Sequence, residues 1–140
     1  MGVQSEAFLV YGIDIGNKIP RKFKPNEDDG AVDFSKFICT QAGLDEPAYN
    51  TPEYSEFYEK RKALLESYPV DMCLYGRDFD SCYVVFVRGH AIAAHNVSTA
   101  RVDPSALTIP EENLAALKAF CKAHRIACAK PSWFLVTRRC

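Results

Sequence analysis

Four consecutive residues, Arg77, Asp78, Phe79 and Asp80, set a cation, two carboxylates and an aromatic ring side by side. Paired carboxylates can hold Mg²⁺ or Ca²⁺ or, in a cleft, share a proton. In a turn, however, Asp is favoured because its side chain accepts backbone N–H bonds, and Arg77 is close enough in sequence to pair with either acid. A phenyl ring among charges suits recognition of a partner better than it suits acid–base chemistry. Arg77, Asp78, Phe79 and Asp80 are therefore the candidate partner-binding residues, and no catalytic residue or metal ligand is assigned.

Other reactive residues fall short of a mechanism. His90 and His95 are the residue types that zinc accepts, but a separation of five sends them to opposite faces of a regular strand. Cys73 and Cys82 are candidate thiol nucleophiles near those histidines, although a cysteine inside an apolar run behaves first as a small hydrophobe. Gly12-Ile13-Asp14-Ile15-Gly16 resembles the first phosphate motif of the actin-like ATPases. Here it runs into Lys18-Ile19-Pro20, and the chain is too short for the second lobe that closes over nucleotide. It reads instead as a strand ending at a glycine turn. There is no Gly-rich P-loop, no nucleophile elbow and no His-Glu metalloprotease motif. No cofactor is expected.

These residues depend on elements that the apolar pattern marks out. Val70 to Val87 reads as a β-hairpin with Val70, Met72 and Leu74 on one face and Asp71, Cys73 and Tyr75 on the other. Its second arm is apolar throughout, as in a strand covered on both faces or central in a sheet. An earlier strand spans residues 7–15, and residues 17–32 form a mobile loop in which basic positions precede acidic ones. Asp33 caps a short helix that ends at Gly43. Thr51-Pro52 opens an amphipathic helix ending at Pro69, with Tyr54, Phe57, Tyr58, Arg61, Leu65 and Tyr68 following at spacings of three and four. Arg88-Gly89 turns the chain into a strand at Ala91–Val97, or Gly89 marks a bulge in one longer strand. Thr108 to Glu111 fits a capping box before a helix with Leu114, Leu117, Cys121 and His124 on one stripe. Residues 132–137 form a last strand. The order is that of a single α+β domain over 1–140: an antiparallel sheet of four to five strands with two to three helices packed mainly on one face, a ferredoxin-like split βαβ arrangement with insertions.

Composition narrows the partners. With 140 residues and a net charge of −1, the chain is of ordinary single-domain size and has no positive field to recruit nucleic acid, which is disfavoured. No apolar run approaches the roughly 20 residues that span a bilayer, so no membrane association is expected. The six cysteines contain no CxxC pair, and MGVQSEAFLV has none of the features of a secretory signal. Reduced thiols and a cytoplasmic location follow as expectations.

Several short pieces together resemble small accessory proteins of tailed bacteriophages: Val10-Tyr11-Gly12-Ile13, Asp78 to Tyr83, Ala91 to Ala94, Leu117 to Cys121, and Pro131-Ser132-Trp133. The chain departs from that pattern at Asp78-Phe79-Asp80 and in the helix from Pro52 to Tyr68. The resemblance implies a phage-encoded protein that works in the host cytoplasm, binding and diverting a host protein without catalysis, for example as an anti-CRISPR-like inhibitor of host defence. Two alternatives stand beside it. One is a small enzyme or small-molecule binder using an open sheet face, and the other is a structural module that forms a homodimer through such a face or edge. If the hairpin loop binds the partner, Asp78→Ala combined with Asp80→Ala leaves the far-UV spectrum and melting curve unchanged and abolishes capture of that partner from lysate.

Overall fold

The computed structural model describes residues 5–24, 32–77, 80–95, 98–127 and 130–139. The fold is α+β, with a five-stranded antiparallel sheet and three α-helices among these residues. The strands are β1 (Ser5–Gly16), β2 (Val70–Arg77), β3 (Asp80–Val87), β4 (Ile92–His95) and β5 (Ser132–Arg139), and the helices are α1 (Phe34–Gln41), α2 (Pro52–Ser67) and α3 (Glu111–Ala123). Contacts divide the chain into two compact units, residues 1–19 with 69–140, and residues 20–68.

The first unit holds the whole sheet, and β1 is its axis. One edge of β1 pairs with β4 through Glu6–Leu9 and with β3 through Gly12–Gly16. The other edge pairs with β5 over eight consecutive positions, Ser5↔Arg139 to Gly12↔Ser132. β2 forms the hairpin with β3, in the register Val70↔Val87 to Arg77↔Asp80. β3 therefore lies between β1 and β2, the position that its unbroken apolar run anticipates, and Val84, Val85 and Val87 are fully buried. The Arg88-Gly89 turn forms, with Gly89 at φ 88°, yet it does not make a hairpin. β4 passes over to β1, whose length leaves its first half free for pairing.

Alternation sorts the side chains into two faces. On one, Val10, Cys73, Val84, Phe86 and Val136 form a buried cluster with Phe8, Tyr75 and Phe134 packed against it. The sheet curls around this cluster, so that the two strands furthest apart in the ladder, β2 and β5, bring Cα atoms within 8 Å of one another. α3 crosses β2 and β3. None of its residues belongs to the cluster, so it covers the opposite face, where Val70, Val85 and Val87 point. Leu117, Cys121 and His124 of the expected stripe are buried together with Phe120, and Leu114 is half-buried. Its cap differs from the sequence reading. Pro110 occupies the N-cap position with no side-chain cap, and Thr108 instead closes a 3₁₀ turn at Pro104–Leu107, whose own cap is Asp103.

In the second unit, Arg21–Phe23 is a 3₁₀ turn within the stretch expected as a mobile loop, and its Phe23 is fully buried. Phe23 sits edge-on to Phe34 (5.7 Å) and Phe37 (4.6 Å) of α1, and Phe34 touches Tyr68 at 6.1 Å. Asp33 caps α1 by accepting from the Lys36 N–H at 2.9 Å, and Gly43 closes it at φ 72°. α2 begins at Pro52 as expected, but Thr51 donates its hydroxyl to Ala48 O instead of capping. Phe57 alone of the α2 stripe is buried, while Tyr58 is half exposed. That stripe is narrower than its aromatic spacing implies.

Gly12 has no room for a side chain. A Cβ there would lie 1.9 Å from the Val85 carbonyl oxygen and 2.7 Å from the Phe86 Cα, both backbone atoms of the neighbouring strand. Gly12→Ala should cost about 3 kcal/mol by overpacking, read as a lower urea midpoint with an unchanged slope.

Candidate functional site

The residues singled out in the sequence separate. Arg77 and Asp80 are register partners at the end of the hairpin. Their side chains, and Asp78 and Phe79 entirely, lie outside the described residues. His95 sits 3.2 Å from Glu6 Oε1, at register positions facing each other across β4 and β1. His124 is buried against Phe120 at 4.4 Å on α3. Cys39, Cys73, Cys82 and Cys121 are free thiols. Cys73 is buried in the sheet cluster. Among the described residues, no three His, Cys, Asp or Glu side chains gather as a metal site.

What the fold does bring together is a pair that neither charge nor spacing links. Tyr75, near the end of β2, shares a face with Cys73, and Asp14 lies near the end of β1 opposite Val84. β3 runs between them, a span of two strand spacings or about 10 Å, which the length of a tyrosine can cover. The Tyr75 hydroxyl donates to Asp14 Oδ1 at 2.5 Å, and the Gly16 N–H donates to the same oxygen at 2.9 Å. The second bond comes from a β-bulge. The β1–β3 register slips between Asp14↔Val84 and Gly16↔Tyr83, and Gly16 turns to φ 58°. A residue with no Cβ accepts that conformation without strain.

This pair stands at one end of a cleft of about 240 Å³ lined by Asp14, Tyr75, Gly76, Val84 and Phe134 to Thr137. The cleft follows from the curl. β2 and β5 approach each other without forming a ladder, and side chains of the sheet cluster form its apolar floor. Burial first, and then the adjacent Asp14 carboxylate and Cys82, hold the Tyr75 phenol well above its ordinary range. At neutral pH it is a hydrogen-bond donor and neither a base nor a nucleophile.

A second hollow of about 200 Å³ lies in the helical unit, with Leu44, Pro47 and Phe57 beneath Asp45, Glu53, Glu56 and Lys60. Lys60 already pairs with Glu56 at 2.8 Å, and both are exposed. In the same unit burial raises the Cys39 thiol, and the Arg61 guanidinium partly offsets this.

Sequence reasoning weighed Asp14 only as part of a phosphate motif and Tyr75 only as one face of the hairpin. The one local sign was an acid closing an otherwise apolar strand before a glycine. No family model, curated protein or solved structure matches the chain.

The phenol makes a pH prediction. A raised folded-state pKa means that the contribution of Tyr75 to stability is complete below the unfolded value near 10 and is lost as pH rises through the folded value. Tyr75→Phe should therefore flatten the loss of stability above pH 10. In an absorbance titration of the folded protein, it should also remove one late-ionising tyrosine.

Proposed function

We propose that the protein is a non-enzymatic binding protein that captures a host protein, in the manner of the phage accessory proteins its sequence resembles. The observation that carries this reading is a half-buried apolar strip on the sheet, open at Leu135. Ile92, Leu9 and Leu135 are side by side in register across β4, β1 and β5, and Leu135 is 71% exposed. Beside them the Tyr11 and Trp133 rings meet edge to face at 5.4 Å. A single exposed leucine is unremarkable on a soluble surface, whereas a contiguous strip with aromatic residues has the composition of a protein interface. Catalysis is the weaker reading, because the cleft's best-placed ionisable side chain, Tyr75, is held as a donor. Arg77, Asp78, Phe79 and Asp80 remain candidate partner-binding residues, and inhibition of a host defence system is the specific form this activity takes.

Tagged protein should capture one stoichiometric bacterial protein from lysate, and the purified partner should bind again in calorimetry. Leu135→Glu, a change at an exposed position that leaves the fold intact, should abolish both. If Leu135→Glu binds normally while the double variant of Asp78 and Asp80 does not, recognition belongs to the hairpin loop. Absence of any partner for the unaltered chain overturns the proposal.

A further inference from the structure

We propose that the cleft between β2 and β5 binds a small amphipathic primary amine, its ammonium on the Asp14 carboxylate and its apolar body against Val84, Phe134 and Val136. This goes beyond protein capture, since it concerns a different class of ligand and a cleft that shares only Leu135 with the apolar strip. Charge comes first. Asp14 accepts from the Tyr75 hydroxyl and the Gly16 N–H, both on Oδ1, and no salt bridge reaches it among the described residues. A carboxylate offers about four lone-pair sites, so two neutral donors leave acceptor capacity on Asp14. An anion would be repelled there.

The phenol sharpens the selection. Its proton is committed to Asp14, and with Cys82 as its other hydrogen-bonding neighbour the phenol oxygen keeps one lone pair beside the carboxylate. An ammonium carries three donors and no acceptor, which matches an end built from a carboxylate and a phenol oxygen. Val84 and Val136, buried, and Phe134, half-buried in the sheet cluster, supply the apolar part of the cleft, and Gly76 and Thr137 line it beside them. A fully hydrated small cation gains nothing from that floor, whereas an arylalkyl or alkyl chain does. Size sets the upper limit. At about 240 Å³ the cleft falls below the roughly 300 Å³ at which drug-sized sites begin, so one ring with a short amine tail is the scale that fits.

The test uses the full ¹⁵N-labelled chain with phenethylamine as probe and 3-phenylpropionate, of similar shape and opposite charge, as its control. Phenethylamine should shift the amide signals of Gly76, Val84, Val136 and Thr137 with a Kd of about 1 mM or tighter, and 3-phenylpropionate should leave them in place. Asp14→Asn, which keeps the side-chain shape and an acceptor oxygen, should weaken the amine at least about tenfold, the effect of losing a charged hydrogen-bond acceptor. Equal binding of both probes, no shift at these amides up to about 10 mM amine, or unaltered affinity in Asp14→Asn each overturns the proposal. The contrast between the two probes is read on the unaltered chain, so it decides the matter even if the variant folds poorly.

Discussion

The sheet depends on the close approach of two backbones at Gly12. β1 carries three of the four strand ladders, and at this position it is paired on both edges, to Phe86 of β3 and to Ser132 of β5. The Val85 carbonyl occupies the space that any Cβ would need. With that approach, β3 lies close enough for Val84 and Phe86 to join Val10, and the curl that turns β5 toward β2 has a floor to close upon. Two residues further along β1 the register slips, and the bulge directs the Gly16 N–H onto the Asp14 carboxylate. A small residue at one position and a bulge just beyond it together set where the polar end of the cleft falls.

The electrostatics of that end follow from burial more than from charge. A tyrosine whose hydroxyl faces a carboxylate across a strand loses hydration and gains an acceptor, and both effects favour its neutral form. Tyr68 and Tyr83 are also raised, in each case by burial. Tyr75 differs in having a specific partner, which converts a half-buried ring into a tie between β2 and β1 across the strand that separates them. The tie fixes the Asp14 carboxylate in the lining of the cleft between β2 and β5. The sheet thus carries a carboxylate beside a cleft and an apolar strip across β4, β1 and β5, with Leu135 common to both.

The segment between β1 and β2 folds by a different logic. Its centre is aromatic, Phe23 between Phe34 and Phe37, and edge-to-face rings of this kind gain about 0.5–1.5 kcal/mol beyond their area. The turn at Arg21–Phe23 brings Phe23 to α1, and the Asp33 N–H donates to the Phe23 carbonyl at 3.0 Å just before the helix starts. Capping at Asp33 and the left-handed Gly43 delimit α1 within eight residues. α2 is mostly exposed and is held by Phe57 alone among its buried positions.

Local pattern by itself determined the element types, because alternation and helical spacing are properties of neighbouring residues. The hairpin faces of Val70 to Tyr75, the central character of residues 82–87, the Asp33 cap and the α3 stripe were all readable from the sequence, and so was the α+β class. The Thr108 cap was misread because a hydroxyl three positions before a glutamate is a weak signal beside a proline, which starts the helix without help. What only the tertiary structure decided was pairing at a distance. That β4 would join β1 and not β3 depends on how much of the long first strand β3 leaves unpaired. That Tyr75 would meet Asp14, 61 positions away in sequence, depends on strand order and on a one-residue slip in register. Hydrogen-bond ladders are made of the same backbone groups at every residue, so a single chain carries little local record of its partner. Which strands meet is settled by the whole sheet closing on one core.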